Sequence, residues 1–341
     1  MKEALGKVVC RRDLTREEMA HVMGQLLAGE ATPAQVASFA TALRMKGETE
    51  DELLGAAEAM RACAARLSPS AEIVLDTCGT GGDGAHTFNI STAVAFVAAG
   101  AGVTVAKHGN RAVSSRCGSA DVLAALGLTL ERPHADVTRD IDTHGLGFLF
   151  APSHHSALRH VAQARRELGF HSVFNLLGPL TNPAGARYQL LGTFAGERVE
   201  QTARVLGRLG SRRAWVVHGH DGLDELSPCG PSDVAELGED GRVRLFTLRP
   251  EDAGLRPVPP ESIKGGDAAE NAQRLRALLR GEERDSGVRT AVLLNAAAAL
   301  VVVSKAVDLK DGVARAAHAI DSGAAAAKLQ ALVSGSGGPT P

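Results

Sequence analysis

A small all-helical domain followed by a larger α/β domain with a mostly parallel central sheet is the fold class that this sequence predicts. Three observations carry that expectation. Residues 12–67 hold three helix-start signals in succession, and from residue 72 onward short β-branched runs alternate with Ala/Leu-rich stretches. A glycine-rich segment follows the first of those runs and precedes an Ala/Val-rich helix.

The helical signals are Thr15-x-x-Glu18, Thr32-Pro33-x-Gln35 and Thr49-x-x-Glu52. In each, a hydroxyl can accept from the third helical amide while the acid or amide side chain reaches back, and apolar spacing follows. Pro33 falls where its missing N–H costs nothing, and Gly29 and Gly47 fall where the preceding helices must stop. Leu67-Ser68-Pro69-Ser70 is the expected hinge, which divides the chain into a helical domain over 1–68 and an α/β domain over 69–333. Expected strands lie at Ile73 to Leu75, Gly102 to Ala106, Gly147 to Phe150, Ala214 to Val217 and Val243 to Phe246. No internal repeat is evident, and the Ser/Gly/Pro tail over 334–341 is expected to be disordered.

With 341 residues and 44% hydrophobic content, the chain can bury a sizeable core in two unequal domains. A net charge of -2 argues against binding of nucleic acid or an anionic membrane by bulk electrostatics, while leaving room for a local basic pocket, so any phosphate site must be local. Cys10, Cys63, Cys78, Cys117 and Cys229 are odd in number, widely spaced and without a C-x-x-C pair. That argues against a disulfide framework or zinc ribbon and for a reducing cytoplasm. No apolar signal core stands at the N-terminus, and the longest apolar stretch, near Ala291 to Val303, is short and carries Asn295. No membrane partner is expected.

Residues 76 to 92 carry the strongest chemical signal. Glycine accepts positive φ and lets the main chain approach a ligand, so Asp76-Thr-Cys-Gly-Thr-Gly-Gly-Asp-Gly84, followed by a helix start at Asn89-Ile90-Ser91-Thr92, reads as a phosphate cradle. Gly79-x-Gly81-x-x-Gly84 formally matches a dinucleotide fingerprint, but the next strand ends in Lys107-His108-Gly109-Asn110-Arg111 rather than an acid for a ribose hydroxyl. No Gly-Lys-Ser/Thr closes the run, so it is not a Walker loop. Taken alone, such a glycine cluster could equally be a tight strand-to-helix turn, and Asn89 an ordinary N-cap.

Lys107 to Ser115 is expected as a loop after a strand, combining a point charge, a fork-shaped cation and several polar side chains suited to a polyanion. Strand ends in parallel sheets are where α/β proteins bind ligands, which favours this over a solvated loop. Asp224 and Glu225, in the turn after the strand at 213–217, are hard oxygen ligands suited to magnesium bridging phosphate oxygens. A lone acidic pair is more often simply solvated. His218, His220 and His154-His155 lack softer ligands at zinc spacing.

Taken together and in order, these blocks resemble those of the anthranilate phosphoribosyltransferase family along nearly the whole chain. Gly79 to Gly84, Asn89 to Thr92, Lys107 to Arg111, Gly118 to Leu123, Asn175 to Pro183, Gly222 to Glu225 and Gly29 to Gln35 carry the resemblance. It implies a nucleoside phosphorylase/phosphoribosyltransferase-like fold, with helices near 155–185 as candidates to join the helical domain, a homodimer through the helical parts, and magnesium-dependent phosphoribosyl transfer. By that resemblance Gly79, Gly82, Asp83, Thr87, Asn89, Ile90, Ser91, Thr92, Lys107, His108, Gly109, Asn110, Arg111, Ala112, Val113, Ser114, Ser115 and Ser119 would hold phosphoribosyl pyrophosphate. Ser91, Asp224 and Glu225 would hold Mg2+, with two ions expected, while Asn110 and Arg165 would contact anthranilate. Lys107 and Arg165 are the expected catalytic side chains.

The sequence departs from the family pattern at Ser156 and Gln163, where prolines are usual, and at His171-Ser172, where Arg-Thr is commoner. By the same resemblance, these positions are expected on the side of the aromatic acceptor. Two other readings remain to be weighed: a pyrimidine nucleoside phosphorylase of similar fold, and a catalytically silent relative that binds nucleic acid.

Overall fold

The computed structural model describes residues 1–112 and 116–337. Four helices open the chain: α1 (Lys2–Val9), α2 (Arg16–Leu27), α3 (Pro33–Lys46) and α4 (Glu50–Cys63). All three capping boxes form, at Thr15, Thr32 and Thr49, and Gly47 ends α3 at φ 89° while Gly29 follows α2 at φ 75°. Each hydroxyl cap is worth about 1 kcal/mol, so the chain marks its own helix starts before any packing occurs. Helices α2 and α4 approach so closely at Gly55 that a Cβ there would lie 2.1 Å from the Arg16 carbonyl oxygen. Glu52 is fully buried, yet it accepts from the Leu14 and Thr49 amides and pairs with Lys46 at 2.9 Å. The charge is thereby satisfied where it would otherwise be costly.

The rest of the chain winds β1 (Val74–Gly79), α5 (Ile90–Gly100), β2 (Thr104–Gly109), α6 (Ser119–Ala125), α7 (His134–His144), β3 (Leu146–Phe150), α8 (Ala151–His154), α9 (Ala162–Leu168), α10 (Val173–Leu180), β4 (Tyr188–Gly192), α11 (Val199–Arg208), β5 (Arg213–Gly219), β6 (Ser232–Leu237), β7 (Val243–Leu248), α12 (Ala268–Leu279), α13 (Gly287–Val302), α14 (Leu309–Asp321) and α15 (Ala324–Gly335). One seven-stranded sheet has the order β3-β2-β1-β4-β5-β6-β7. The first five strands in that order run parallel, β6 runs antiparallel to β5, and β7 antiparallel to β6. Strand β1 pairs with β2 on one side and β4 on the other, so the chain's progression reverses there. A crevice must open at the carboxyl ends of β1 and β4, where the following connections leave to opposite sides.

The core divides by sheet face. One face packs against α5, α12, α13, α14 and α15, and the other against α11, the four-helix bundle and helices α9 and α10. Phe39, Met19 and Leu53 of the bundle thus share one apolar cluster with Phe174, Leu177 and Val216. Polar ties reinforce that junction. Arg198, at the start of α11, pairs with Glu48 at 2.6 Å in a buried setting, and Arg61 of α4 donates to the carbonyls of Leu180 and Leu209.

Several expectations need correction. Strands β4 and β6 are additions to the expected set. β4 is five residues, all buried, without a β-branched side chain, and β6 opens on Ser-Asp. Central placement, not local propensity, makes them strands. β1 and β2 also extend past the apolar runs to Gly79 and Gly109, so Lys107 and His108 are strand residues and not the start of a loop. The tail expected to begin at Ser334 is instead helical through Gly335, where the Gly335 carbonyl accepts from Arg132 and the Ser336 hydroxyl donates to the Val333 carbonyl. Residues 338–341 lie outside the described residues.

Gly55→Ala should destabilise the helical bundle by about 1–3 kcal/mol through overpacking against α2. A fall in the urea midpoint of unfolding checks this, and an unchanged midpoint would show that the backbones are not in contact at this point.

Candidate active site

The crevice is built by four chain segments that meet at the carboxyl ends of β1, β2, β4 and β5. After β1 the glycine loop turns on Gly81, Gly82 and Gly84, at φ 68°, 78° and 69°. Its far half is strapped down by residues 263–265: the Phe88 amide donates to the Ile263 carbonyl at 2.9 Å and Thr87 bridges Lys264. Lys264 reaches back to the Ala85 carbonyl, and Asp83 accepts from the Ala85 amide. Helix α5 then begins at Ile90. Asn89 does not cap it; its side chain instead donates to the Cys117 carbonyl and accepts from Asn271. At the helix start the Ile90 amide instead donates to the Phe88 carbonyl and the Ser91 amide to Glu225, so what α5 offers the crevice is chiefly the positive end of its dipole. Thr92 is buried and its hydroxyl lacks a protein partner among the described residues.

The acidic turn lies directly against this loop. A Cβ at Gly192, the last residue of β4, would sit 1.5 Å from the Asp224 carbonyl oxygen, and one at Gly79 would sit 2.3 Å from Asp224 Oδ2. Only glycine at both strand ends lets the turn close in. Asp224 Oδ2 accepts the Gly81 amide at 2.7 Å and Glu225 Oε1 accepts the Ser91 amide at 3.1 Å. Burial pushes Asp224 up to about 6, with the charge of Asp83 adding to it. Burial and the neighbouring Asp224 hold Glu225 well above the usual carboxylate range. These two carboxylates are crowded and under-compensated by the protein.

Magnesium fits this donor set. Each carboxylate keeps one oxygen beyond its amide bond, and the ligands are all oxygen. Among the described residues no cluster of three or more His, Cys, Asp or Glu side chains gathers to enclose a metal. A cation held by two carboxylates with remaining positions for phosphate oxygens and water is the arrangement magnesium prefers.

Lys107 occupies a different place from the one expected. Its side chain is 3% exposed and its ammonium donates to the Thr77 carbonyl and to Ser91 Oγ, the latter at 3.2 Å. Burial lowers its proton affinity, opposed by the charges of Asp76, Cys78, Glu225 and Asp224. The cation thus lies beneath the floor of the crevice, where it orients Ser91 and lends its field rather than a direct contact. His108 is likewise buried: its amide donates to Asp76 Oδ1 and its Nδ1 lies 3.2 Å from the Gly178 carbonyl. Desolvation, with His155 and His154 nearby, holds it well below the usual range, so the ring is neutral with Nδ1 as its donor. A general-base role for His108 has no support in this geometry.

Beyond Gly109 the chain folds around Asp121. That carboxylate receives the Ala112 and Gly118 amides and pairs with Arg111 at 2.9 Å, which leaves the loop less cationic than its sequence suggests. Ser119 donates to the Asn110 carbonyl, and a Cβ on Gly109 would meet Ser119 Oγ at 2.2 Å. Val113, Ser114 and Ser115 lie outside the described residues. Arg165 stands apart on α9, half-buried, its guanidinium 5.3 Å from the centre of the Phe174 ring. Desolvation alone lowers its proton affinity, and among the described residues it has no salt-bridge partner. A desolvated cation of that kind suits a ligand carboxylate.

The sequence reading missed the residues beneath the site. Asp76 is fully buried and accepts from His108 and from Asn182 Nδ2 at 2.7 Å, while the same amide also donates to the Ala106 carbonyl. Gly192 and Phe194 were missed with β4; the Phe194 amide donates to Thr80 Oγ1. An acid immediately after an apolar run was the one available signal for Asp76.

Family models match both parts of the chain: a glycosyl transferase family helical bundle domain over residues 2–64 and a glycosyl transferase family a/b domain over residues 71–326. The chain is 80% identical over 335 residues to the anthranilate phosphoribosyltransferase of Myxococcus xanthus, covering 98% of each. The crystal structure of anthranilate phosphoribosyltransferase from Thermus thermophilus superposes with a TM-score of 0.92 at 46% identity, covering 97% of this chain and 98% of that one. The Saccharomyces cerevisiae enzyme in complex with PRPP and Mg superposes at 0.89 with 26% identity, covering 98% and 97%.

Gly192→Ala should displace the turn that carries Asp224 and Glu225 while leaving the sheet in place. The magnesium concentration for half-maximal activity is expected to rise by roughly tenfold, the scale of effect of residues that position metal ligands. An activation curve matching that of the unaltered protein would contradict the close approach described above.

Proposed function

The chain belongs to the anthranilate phosphoribosyltransferase family, and from that premise we propose that its crevice carries out the reaction for which the family is named. It is a glycosyltransferase of tryptophan biosynthesis. The phosphoribosyl group of 5-phosphoribosyl 1-pyrophosphate passes to the amino group of anthranilate, giving N-(5-phosphoribosyl)anthranilate and pyrophosphate. The observation that supports this best is the convergence of the glycine loop, the start of α5 and the Asp224-Glu225 turn, joined by the Gly81 and Ser91 amide bonds.

The donor is assigned to Gly79, Gly82, Asp83, Thr87, Asn89 to Thr92, the segment Gly109 to Ser115 and Ser119, with the buried Lys107 and His108 supporting it from beneath and not by direct contact. Mg2+, two ions in this reading, is assigned to Ser91, Asp224 and Glu225, where it would neutralise charge developing on pyrophosphate. Loop amides and the α5 start bind the same charge, and Lys107 positions Ser91 from below. The aromatic amine is already neutral near pH 7, so its proton can leave after the bond to the anomeric carbon has formed and no strong base is required. Arg165 and Asn110 would orient the acceptor by its carboxylate. Holding both reactants between the bundle side and the sheet edge contributes through proximity, and closure keeps water from the oxocarbenium-like centre.

The domain division at 68/69 stays close to the two family matches, with α9 and α10 counted with the bundle because they share its apolar cluster. A homodimer through the bundle is supported by Val9 and Met45, apolar side chains left 64% and 70% exposed on it. Five free cysteines agree with a reducing cytoplasm. Among the described residues no helix is long and apolar enough to cross a membrane. Neither a nucleoside phosphorylase nor a nucleic-acid-binding relative is favoured by any of these observations.

The direct test mixes purified protein with phosphoribosyl pyrophosphate, magnesium and anthranilate and follows loss of anthranilate fluorescence; signal loss with any one component omitted would overturn the reading. Asp224→Asn combined with Glu225→Gln should lower turnover at limiting magnesium by roughly a hundredfold or more with the circular dichroism unchanged. Full turnover by the folded double variant would remove the metal assignment. For Arg165→Ala, the KM for anthranilate should rise on the order of tenfold while that for the donor changes by less than about twofold. Equal changes in both constants would count against a carboxylate contact.

A further inference from the structure

His171 lies between α9 and α10, outside the residues assigned above, and its ring is wedged against the glycine loop. A Cβ at Gly82 would lie 1.9 Å from His171 Nε2, 2.7 Å from Cε1 and 3.0 Å from Cδ2, so the ring edge occupies the space that any side chain there would need. Its opposite support is Phe194, whose ring centre is 4.3 Å away at an interplanar angle of 34°. Phe194 is itself tied to the loop, because its amide donates to Thr80 Oγ1, and the Thr80 amide donates to the Gly192 carbonyl. The charged groups facing the ring are Arg44 of α3 from the bundle side and Asp83 from the loop side. The imidazole is half-buried and bonded to no residue among those described, so its contribution here is shape and stacking.

A glycine at φ 78° moves readily, and a loop with three such residues would sample many shapes if nothing bore on it. We propose that His171 is a positioning residue that holds the Gly79–Gly84 loop, through Gly82 and Phe194, in the shape that binds the pyrophosphate end of the donor. The residue reaches the loop from the segment that joins α9, which bears Arg165, to α10, whose Gly178 carbonyl meets His108. The chain therefore uses one connection on the acceptor side to brace the donor loop. The inference rests on the phosphoribosyl-transfer reading for its kinetic consequence and on geometry alone for its structural one.

The test compares the unaltered enzyme with His171→Ala and with His171→Gln, which keeps a planar group of similar reach against Gly82. In His171→Ala the KM for phosphoribosyl pyrophosphate should rise roughly five- to tenfold, with the KM for anthranilate within about twofold, the split expected when only donor positioning is lost. His171→Gln should restore most of the donor KM. In the absence of substrates, hydrogen exchange of the 79–84 amides should quicken in His171→Ala and return toward the unaltered rate in His171→Gln, while global unfolding temperatures stay close. Unchanged loop exchange, or equal rises in both KM values, would overturn the proposal. If the unaltered enzyme transfers no phosphoribosyl group, the functional reading fails instead, and the exchange comparison still decides the role of His171.

Discussion

The whole site depends on how closely one turn can approach two strand ends. Asp224 reaches the glycine loop because β1 and β4 both finish in glycine, and because the parallel sheet places those ends side by side in register, Gly79 opposite Gly192. Side chains at either position would hold the turn away and separate the carboxylates from the α5 start. The switch in strand order at β1 supplies the opening, and the missing side chains supply the depth.

Beneath that opening lies a buried polar layer. Asp76 accepts from His108 and Asn182, Asn182 also holds the Ala106 carbonyl, and Lys107 sits between Thr77 and Ser91. Burial raises the proton affinity of Asp76 and lowers that of Lys107, while the charge of each opposes the shift in the other. Such groups are costly to bury unless each is bonded, and here each has partners from a different strand or turn. The layer therefore fixes how β1, β2 and the segment after α10 sit relative to one another. Ser91, which projects from this layer, inherits a defined position.

The second half of the cleft belongs to the bundle side. Helices α9 and α10 follow the third strand in sequence but pack into the same apolar cluster as the first four helices. Arg165 is therefore carried by the bundle side, while Ser91 and Asp224 are carried by the sheet. The Glu48–Arg198 pair and the Arg61 contacts join the two across long sequence separations. Because the bundle, α9 and α10 share one apolar cluster with Cys78 of β1, Leu191 of β4 and Val216 of β5, the two walls of the crevice are packed on each other as well as tied by these polar bonds.

Much of the fold and of the site was legible in the residues themselves. The three threonine caps, the glycine run, the acidic pair and the order of the blocks are local chemistry, and a hydroxyl or a glycine imposes its backbone geometry wherever it stands. Lys107 and His108 misled because a cation and an imidazole after an apolar run look like solvent-facing loop, and only the facing Asp76, Thr77 and Ser91 make their burial tolerable. β4 was invisible because Tyr-Gln-Leu-Leu-Gly has no strand pattern of its own and becomes a strand by lying between β1 and β5. The bracing of Gly82 by His171 likewise joins residues far apart along the chain. By itself, then, the sequence determined the capped helices, the glycine and acidic turns and the family, since these follow from side chains and their near neighbours. Tertiary structure alone decided which polar groups are buried, which glycines must stay bare and which face each helix shares, because those depend on partners that only the folded chain brings within reach.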